Sequence, residues 1–130
     1  MNGFCYLHQN NIMHRDFKPA NLFLDDDNCI IGDLGFAKEV VEETRTQLGS
    51  PVYMAPEILF MKPGQNYNNK SDLYSIGAVY YEMLFNRMPF GGQPLNDEVF
   101  KYEQKNKSGV NLEFPKNIEI SESSKDLLRR

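Results

Sequence analysis

Twelve residues lead from Asn21 to Asp33, and the stretch between them leaves the chain few choices. Two short apolar runs, Leu22 to Leu24 and Cys29 to Ile31, flank the polar segment Asp25-Asp26-Asp27-Asn28. Asp and Asn side chains bond to nearby backbone and favour turns over regular ladders, so this spacing predicts a small β-hairpin. A hairpin that tight brings an amide oxygen and a carboxylate on opposite strands within reach of one metal ion. The Asp25 to Asp27 run lacks the glycine and the distant glutamate of a calcium loop, and reads as a solvated turn.

Around this hairpin the pattern is mainly helical. Phe4, Tyr6 and Leu7 recur at helix-compatible spacing before the polar break Gln9-Asn10-Asn11, as in the last turns of a longer helix. From Gly32 to Pro56 no periodicity is sustained, and an irregular stretch of that length in a compact domain is expected to be functional. The strongest helix runs from about Lys70 to Phe85, with Leu73, Ile76, Tyr80, Met83 and Leu84 as its apolar face. Asn69 and Asp72 resemble a capping box at its start, and Asn86 and Pro89 mark its end. A weaker helix is expected around Leu95 to Lys105, and Ser121 is placed to cap a third one containing Leu127 and Leu128. The expected fold class is α+β, predominantly helical, in one unit spanning residues 1–130. The 41% hydrophobic content, with nine Phe and seven Tyr, is enough to build its core.

Charge and cysteine usage exclude several classes. Fourteen basic against 18 acidic residues give a net charge of −4, which provides no footprint for nucleic acid or an anionic membrane. Cys5 and Cys29 have neither CxxC spacing nor a disulfide framework; they read as packed thiols in a reducing compartment. His8 and Arg15 interrupt the N-terminal residues, so neither a secretory signal nor a membrane span is predicted there, and a soluble cytoplasmic protein is expected.

The chemistry is concentrated in a few strings. His14-Arg15-Asp16-Phe17-Lys18-Pro19-Ala20-Asn21 fits the pattern HRDxxxxN, and Asp33-Leu34-Gly35 follows at the hairpin's far end. Gly49-Ser50-Pro51-Val52-Tyr53-Met54-Ala55-Pro56-Glu57, Asp72-Leu73-Tyr74-Ser75-Ile76-Gly77 and Met88-Pro89-Phe90 come next. Together these resemble, in order and spacing, the large C-terminal lobe of the protein kinase family, and the resemblance covers essentially the whole chain. Within that family GDLGFAK, GSPVYMAPEIL, SDLYSIG and the segment from Phe100 to Lys107 look most like the autophagy-initiating branch of serine/threonine kinases.

The resemblance implies a site. Asp16 would be the catalytic base, Lys18 the contact to the γ-phosphate, Asn21 and Asp33 the Mg²⁺ ligands, and Phe23 the floor beneath adenine, so ATP and Mg²⁺ are the implied cofactors. Phosphoryl transfer asks a protein chiefly for positioning and charge neutralisation, which suits one carboxylate at the acceptor hydroxyl and hard oxygen ligands at the metal. Lys18 implies a Ser or Thr acceptor on a protein substrate, and Ser50 would help orient Asp16 and Lys18. His14 would be a packed structural residue, Asp72 would bind backbone N–H groups of the catalytic loop, and Glu57 would pair with an arginine after the last helix seen here. Thr46, with Thr44 as the alternative, would carry an activating phosphate held by Arg15 and Lys38. The chain departs from the family in two places: Leu34 stands where Phe is commoner, and Phe23 where Leu is commoner.

The resemblance also implies a domain truncated at both ends, with the small ATP-clamping lobe missing. None of the nine glycines forms GxGxxG, and no strand lysine with a partner glutamate can be assigned. The expected activity of these 130 residues alone is therefore nil. The competing reading is a catalytically silent kinase-like module that binds a partner.

Overall fold

The computed structural model describes residues 2–39, 49–92 and 112–129. The helix expected around Leu95 to Lys105, together with Thr44 and Thr46, lies outside the described residues.

The first helix, α1, spans Asn2–Gln9 and buries Leu7. Asn11, at φ 54°, turns the chain into strand β1, Ile12–Met13. The catalytic-loop string follows and closes in a 3₁₀ turn, Pro19–Asn21. Next come β2, Leu22–Asp25, and β3, Asn28–Ile31, paired antiparallel with Leu22 opposite Ile31 and Asp25 opposite Asn28. This is the hairpin that the Asp-rich turn predicts. Two residues suffice for the turn itself, with Asp26 at φ 50°, a conformation Asp tolerates better than most residues. A second 3₁₀ turn, Leu34–Phe36, leads to β4, Lys38–Glu39, which returns to pair with β1. The catalytic loop is thus clamped at its entry by β1–β4 and leads directly into β2–β3.

A further 3₁₀ turn, Pro51–Tyr53, and the short helix α2, Pro56–Leu59, form the platform beside that loop. The long helix α3, Ser71–Phe85, ends at Asn86 in the left-handed conformation. Helix α4, Glu122–Arg129, begins where Ser121 Oγ accepts a hydrogen bond from Ser124 N at 3.1 Å, the cap expected from the sequence.

The core lies directly below the catalytic loop: Met13, Met54, Ala55, Ile58 and Tyr67 pack together, with Leu59, Met61 and Tyr74 at the margin. A second, aromatic cluster joins the C-terminal half of α3 to the last segment. Tyr81 and Phe85 meet at 4.6 Å between ring centroids, Phe114 stands 6.0 Å from Phe85, and the Arg129 guanidinium lies 5.1 Å from the Phe114 centroid.

Three expectations need correction. The inward face of α3 is built from Ser71, Asp72, Ser75, Ala78, Val79, Tyr81 and Phe85, whereas Leu73 and Met83 of the expected apolar face are 50% and 71% exposed. The reason is polar: Asp72 bonds the catalytic loop, and Ser75 Oγ donates to the Tyr53 carbonyl at 2.7 Å, so these contacts fix the helix rotation. The capping box does not form either, because Lys70 occupies the cap position without a side-chain bond and Asp72 turns to the catalytic loop instead. Finally, Cys5 and Cys29 are exposed rather than packed; Cys29 sits on a two-stranded hairpin with little over either face.

Candidate active site

Lys18, Asn21 and Ser50 converge on the Asp16 carboxylate, and Asp16 is 5% exposed. Its Oδ2 accepts from Lys18 Nζ at 2.6 Å and from Asn21 Nδ2 at 3.2 Å. Its Oδ1 accepts from Ser50 N at 3.0 Å and from Ser50 Oγ at 3.1 Å. Lys18 Nζ also donates to Ser50 Oγ at 3.2 Å, closing a ring of three side chains. A carboxylate offers about four lone-pair positions, and here all are engaged.

Those bonds govern its protonation. Burial pushes the Asp16 carboxyl up, but the Lys18 and Ser50 hydrogen bonds, the Lys18 charge and the Asn21 bond outweigh it and hold the group below its ordinary 3.8. Because the folded value is depressed, the associated stability is present above the unfolded pKa and is lost as pH falls through the folded one.

The backbone beneath is fixed from α3. Asp72, 4% exposed, accepts from His14 N at 2.7 Å and from Arg15 N at 3.0 Å. Burial raises its carboxyl despite those two bonds and the positive charge of Arg15. Arg15 itself is held at φ 69°, an uncommon conformation for a long side chain. Its Nε donates to the Phe36 carbonyl at 2.5 Å, and its guanidinium bonds the Tyr67 hydroxyl. His14 is fully buried; its Nε2 lies 2.9 Å from the Gly32 carbonyl, its Nδ1 accepts from Asp16 N at 3.3 Å, and its ring packs edge-on against Phe17. Both ring nitrogens are thus occupied by backbone.

The hairpin delivers the two candidate metal ligands to one end. Gly32 N donates to the Asn21 carbonyl at 2.8 Å, so Asp33, the next residue, is tethered beside Asn21. Both hydrogen bonds of the Asn21 side chain use Nδ2, to the Asp16 carbonyl and Oδ2, which leaves Oδ1 for another partner. Asp33 is exposed at φ 55°, with one carboxylate oxygen accepting from Gly35 N at 3.3 Å. An amide oxygen and a carboxylate fit a cation such as Mg²⁺, which takes one or two protein oxygens and fills the rest of its shell from water and phosphate. Among the described residues no group of three or more His, Cys, Asp or Glu could hold a metal.

The remaining predicted residues stand apart. Phe23 is 55% exposed and its ring lies over Gly32, where an added Cβ would come within 2.3 Å of it. Lys38 is exposed on β4 opposite Met13. Glu57 accepts from Ser71 Oγ at 2.6 Å, tying α2 to the start of α3.

Two site residues have no assigned role in the sequence reading. Gly49 lies at φ +115°, and a Cβ there would stand 2.5 Å from the Arg15 carbonyl. Only glycine lets this loop approach closely enough for Ser50 to bond Asp16. The signal was its position immediately before Ser50. Tyr67, 5% exposed, supports Arg15 from the core, and nothing in its local sequence marks it.

The loss of Lys18 gives a measurable pH effect. Lys18→Met removes a hydrogen bond and a charge that depress the Asp16 carboxyl, so in an NMR pH titration that carboxyl should protonate at higher pH than in the parent. A titration unmoved by the substitution would detach Lys18 from the control of that carboxylate.

Comparison with known proteins agrees with the geometry. The protein kinase domain family matches residues 1–130. The serine/threonine-protein kinase atg1 of Dictyostelium discoideum is 43% identical over 110 residues, covering 80% of this chain and 16% of its own length. ULK3 of Xenopus laevis is 35% identical over 130 residues, 96% of this chain and 26% of its own. ATG1b of Arabidopsis thaliana is 38% identical over 135 residues, 98% of this chain and 18% of its own. The chain therefore spans between about a sixth and a quarter of the length of these relatives. They include the autophagy-initiating branch that the motif strings resemble. With the HRDxxxxN loop folded around Asp16, the family match over its whole length and serine/threonine kinases among its relatives, this chain belongs to the protein kinase family.

Proposed function

We propose that this chain takes part in transferring the γ-phosphate of Mg-ATP to a serine or threonine of a protein substrate, with Asp16 as the base. The observation that carries this reading is the Asp16 carboxylate, buried, depressed in pKa and gripped by Lys18, Asn21 and Ser50. A base for this chemistry must be ionised and aimed, and those donors do both. Lys18 serves the γ-phosphate, and Asn21 Oδ1 with Asp33 holds Mg²⁺, which neutralises phosphate charge when bound.

Phe23 contributes the floor under the adenine, and the apolar side chains of Phe23 and Leu34, each about half exposed, suit a cover supplied by another part of the protein. That cover is the small lobe implied by the resemblance. His14 and Asp72 hold the loop from below, Glu57 holds α2, and Arg15 and Lys38 receive a phosphate on Thr46 or Thr44. The cytoplasm suits the free, exposed Cys5 and Cys29. No described helix is long and apolar enough to cross a membrane.

The metal assignment supplies the test. In the full-length protein, Asp33→Asn should weaken use of Mg-ATP at least tenfold, seen as a raised Mg²⁺ requirement in a radiolabel transfer assay. Changes to Asn in the Asp25 to Asp27 turn should leave it unaltered, because only Asp33 is tethered beside Asn21. Equal losses from the two sets would reject the metal site.

A further inference from the structure

We infer that Ser50 is itself a phosphate acceptor for Asp16 in the same chain, an inference that rests on the kinase reading above. It starts from what the Ser50 hydroxyl is already bonded to. Its Oγ donates to Asp16 Oδ1 at 3.1 Å, within the range at which a general base takes a proton. It also accepts from Lys18 Nζ at 3.2 Å. A hydroxyl has one proton and two lone pairs, so the proton is on the base, one lone pair is on Lys18, and one remains for attack.

Ser50 is half-buried, and it is held twice: its backbone N–H also bonds Asp16 Oδ1, at 3.0 Å. Neighbouring Gly49 allows that approach and no residue with a side chain would. A nucleophile fixed at its base in this way has the orientation that phosphoryl transfer chiefly requires.

The step balances without any further reactant than a nucleoside triphosphate. Ser50 Oγ forms a bond to the γ-phosphorus while its proton passes to Asp16 Oδ1. The bond from that phosphorus to the β–γ bridging oxygen breaks, and the nucleoside diphosphate leaves with the electron pair.

The product switches the site off. A phosphoserine carries about −1.5 to −2 charges, and at position 50 it would stand beside the Asp16 carboxylate. Repulsion would open the Ser50–Asp16 bonds and leave Lys18 to choose between two anions. Self-transfer would thus compete with transfer to substrate and limit it.

The test is a time course with the full-length protein, radiolabelled ATP and Mg²⁺, beside a generic Ser/Thr protein acceptor, with the modified peptide mapped by mass spectrometry. The expected result is phosphate on Ser50, formed at a first-order rate that stays constant over a tenfold dilution. Asp16→Asn should lower it by about 100-fold or more. Ser50→Thr should carry the phosphate on the new hydroxyl, and Ser50→Ala should carry none at that position. Protein purified from cells under phosphatase inhibition should carry the same mark, and phosphatase treatment should raise its transfer to the generic acceptor. Label on the generic acceptor with Ser50 unmodified would overturn the inference and leave the kinase reading standing. Label on Ser50 at a rate proportional to protein concentration would overturn the intramolecular route. No label on either would reject the kinase reading and the inference with it.

Discussion

Asp16→Asn is expected to lower phosphate transfer by about 10² to 10⁴-fold, the contribution of a positioned general base, while leaving the fold in place. Asparagine has the volume of aspartate and keeps one oxygen that can accept from Ser50 N, now 3.0 Å from Oδ1. What disappears is the negative charge that draws Lys18 to 2.6 Å and that, in the proposed reaction, would receive the acceptor's proton. Because removing the base acts in the transition state, the fall should show in kcat and in kcat/KM alike. Measuring turnover of a generic Ser/Thr protein acceptor by the full-length protein, with circular dichroism as the folding control, decides it. Turnover within a few-fold of the parent would take the base away from Asp16.

The second large effect is on stability. Asp72→Ala should cost about 2–6 kcal/mol, since it leaves His14 N and Arg15 N without the acceptor they share, at about 1–3 kcal/mol for each donor. Single domains are stable by only about 5–15 kcal/mol, so this loss is a large fraction. Asp72→Asn retains one acceptor oxygen and should fall between parent and alanine. The pH dependence has a definite sign: burial raises the native Asp72 carboxyl above its ordinary 3.8, so this residue's contribution falls as pH rises through that window. It is opposite to the contribution of Asp16. Urea unfolding of the three proteins at neutral pH would check the order, and an alanine variant as stable as the parent would mean that the two N–H groups find another acceptor. Turnover should drop as well, because Arg15 leads directly into Asp16 and its φ of 69° is imposed by these contacts.

The hairpin was legible because turn chemistry is local: four polar residues between two apolar runs admit few alternatives. The same holds for the end of α3 at Asn86 and the Ser121 cap of α4, each a matter of one residue's conformation or side-chain bond. The rotation of α3 was not legible. Its apolar residues lie on several sides, so periodicity offers no single inward face, and Leu73 and Met83 remain exposed while Ser71, Asp72 and Ser75 turn inward. Tyr67 escaped notice for a related reason, since its bond to Arg15 crosses more than fifty positions of sequence.

By itself the sequence determined which groups are available for chemistry, because a short string such as HRDxxxxN specifies residue types and their separation along one loop. It also determined that Asn21 and Asp33 would return to each other, since the hairpin closes through nearest neighbours. Tertiary structure decided how Asp16 is held. Ser50 reaches it from 34 positions away, Gly49 permits the approach by having no Cβ, and Asp72 fixes the backbone below from 58 positions beyond His14. Charge, burial and hydrogen bonding around one carboxylate depend on distances in space, and those are set only when α3 and the platform loop have packed against the catalytic loop.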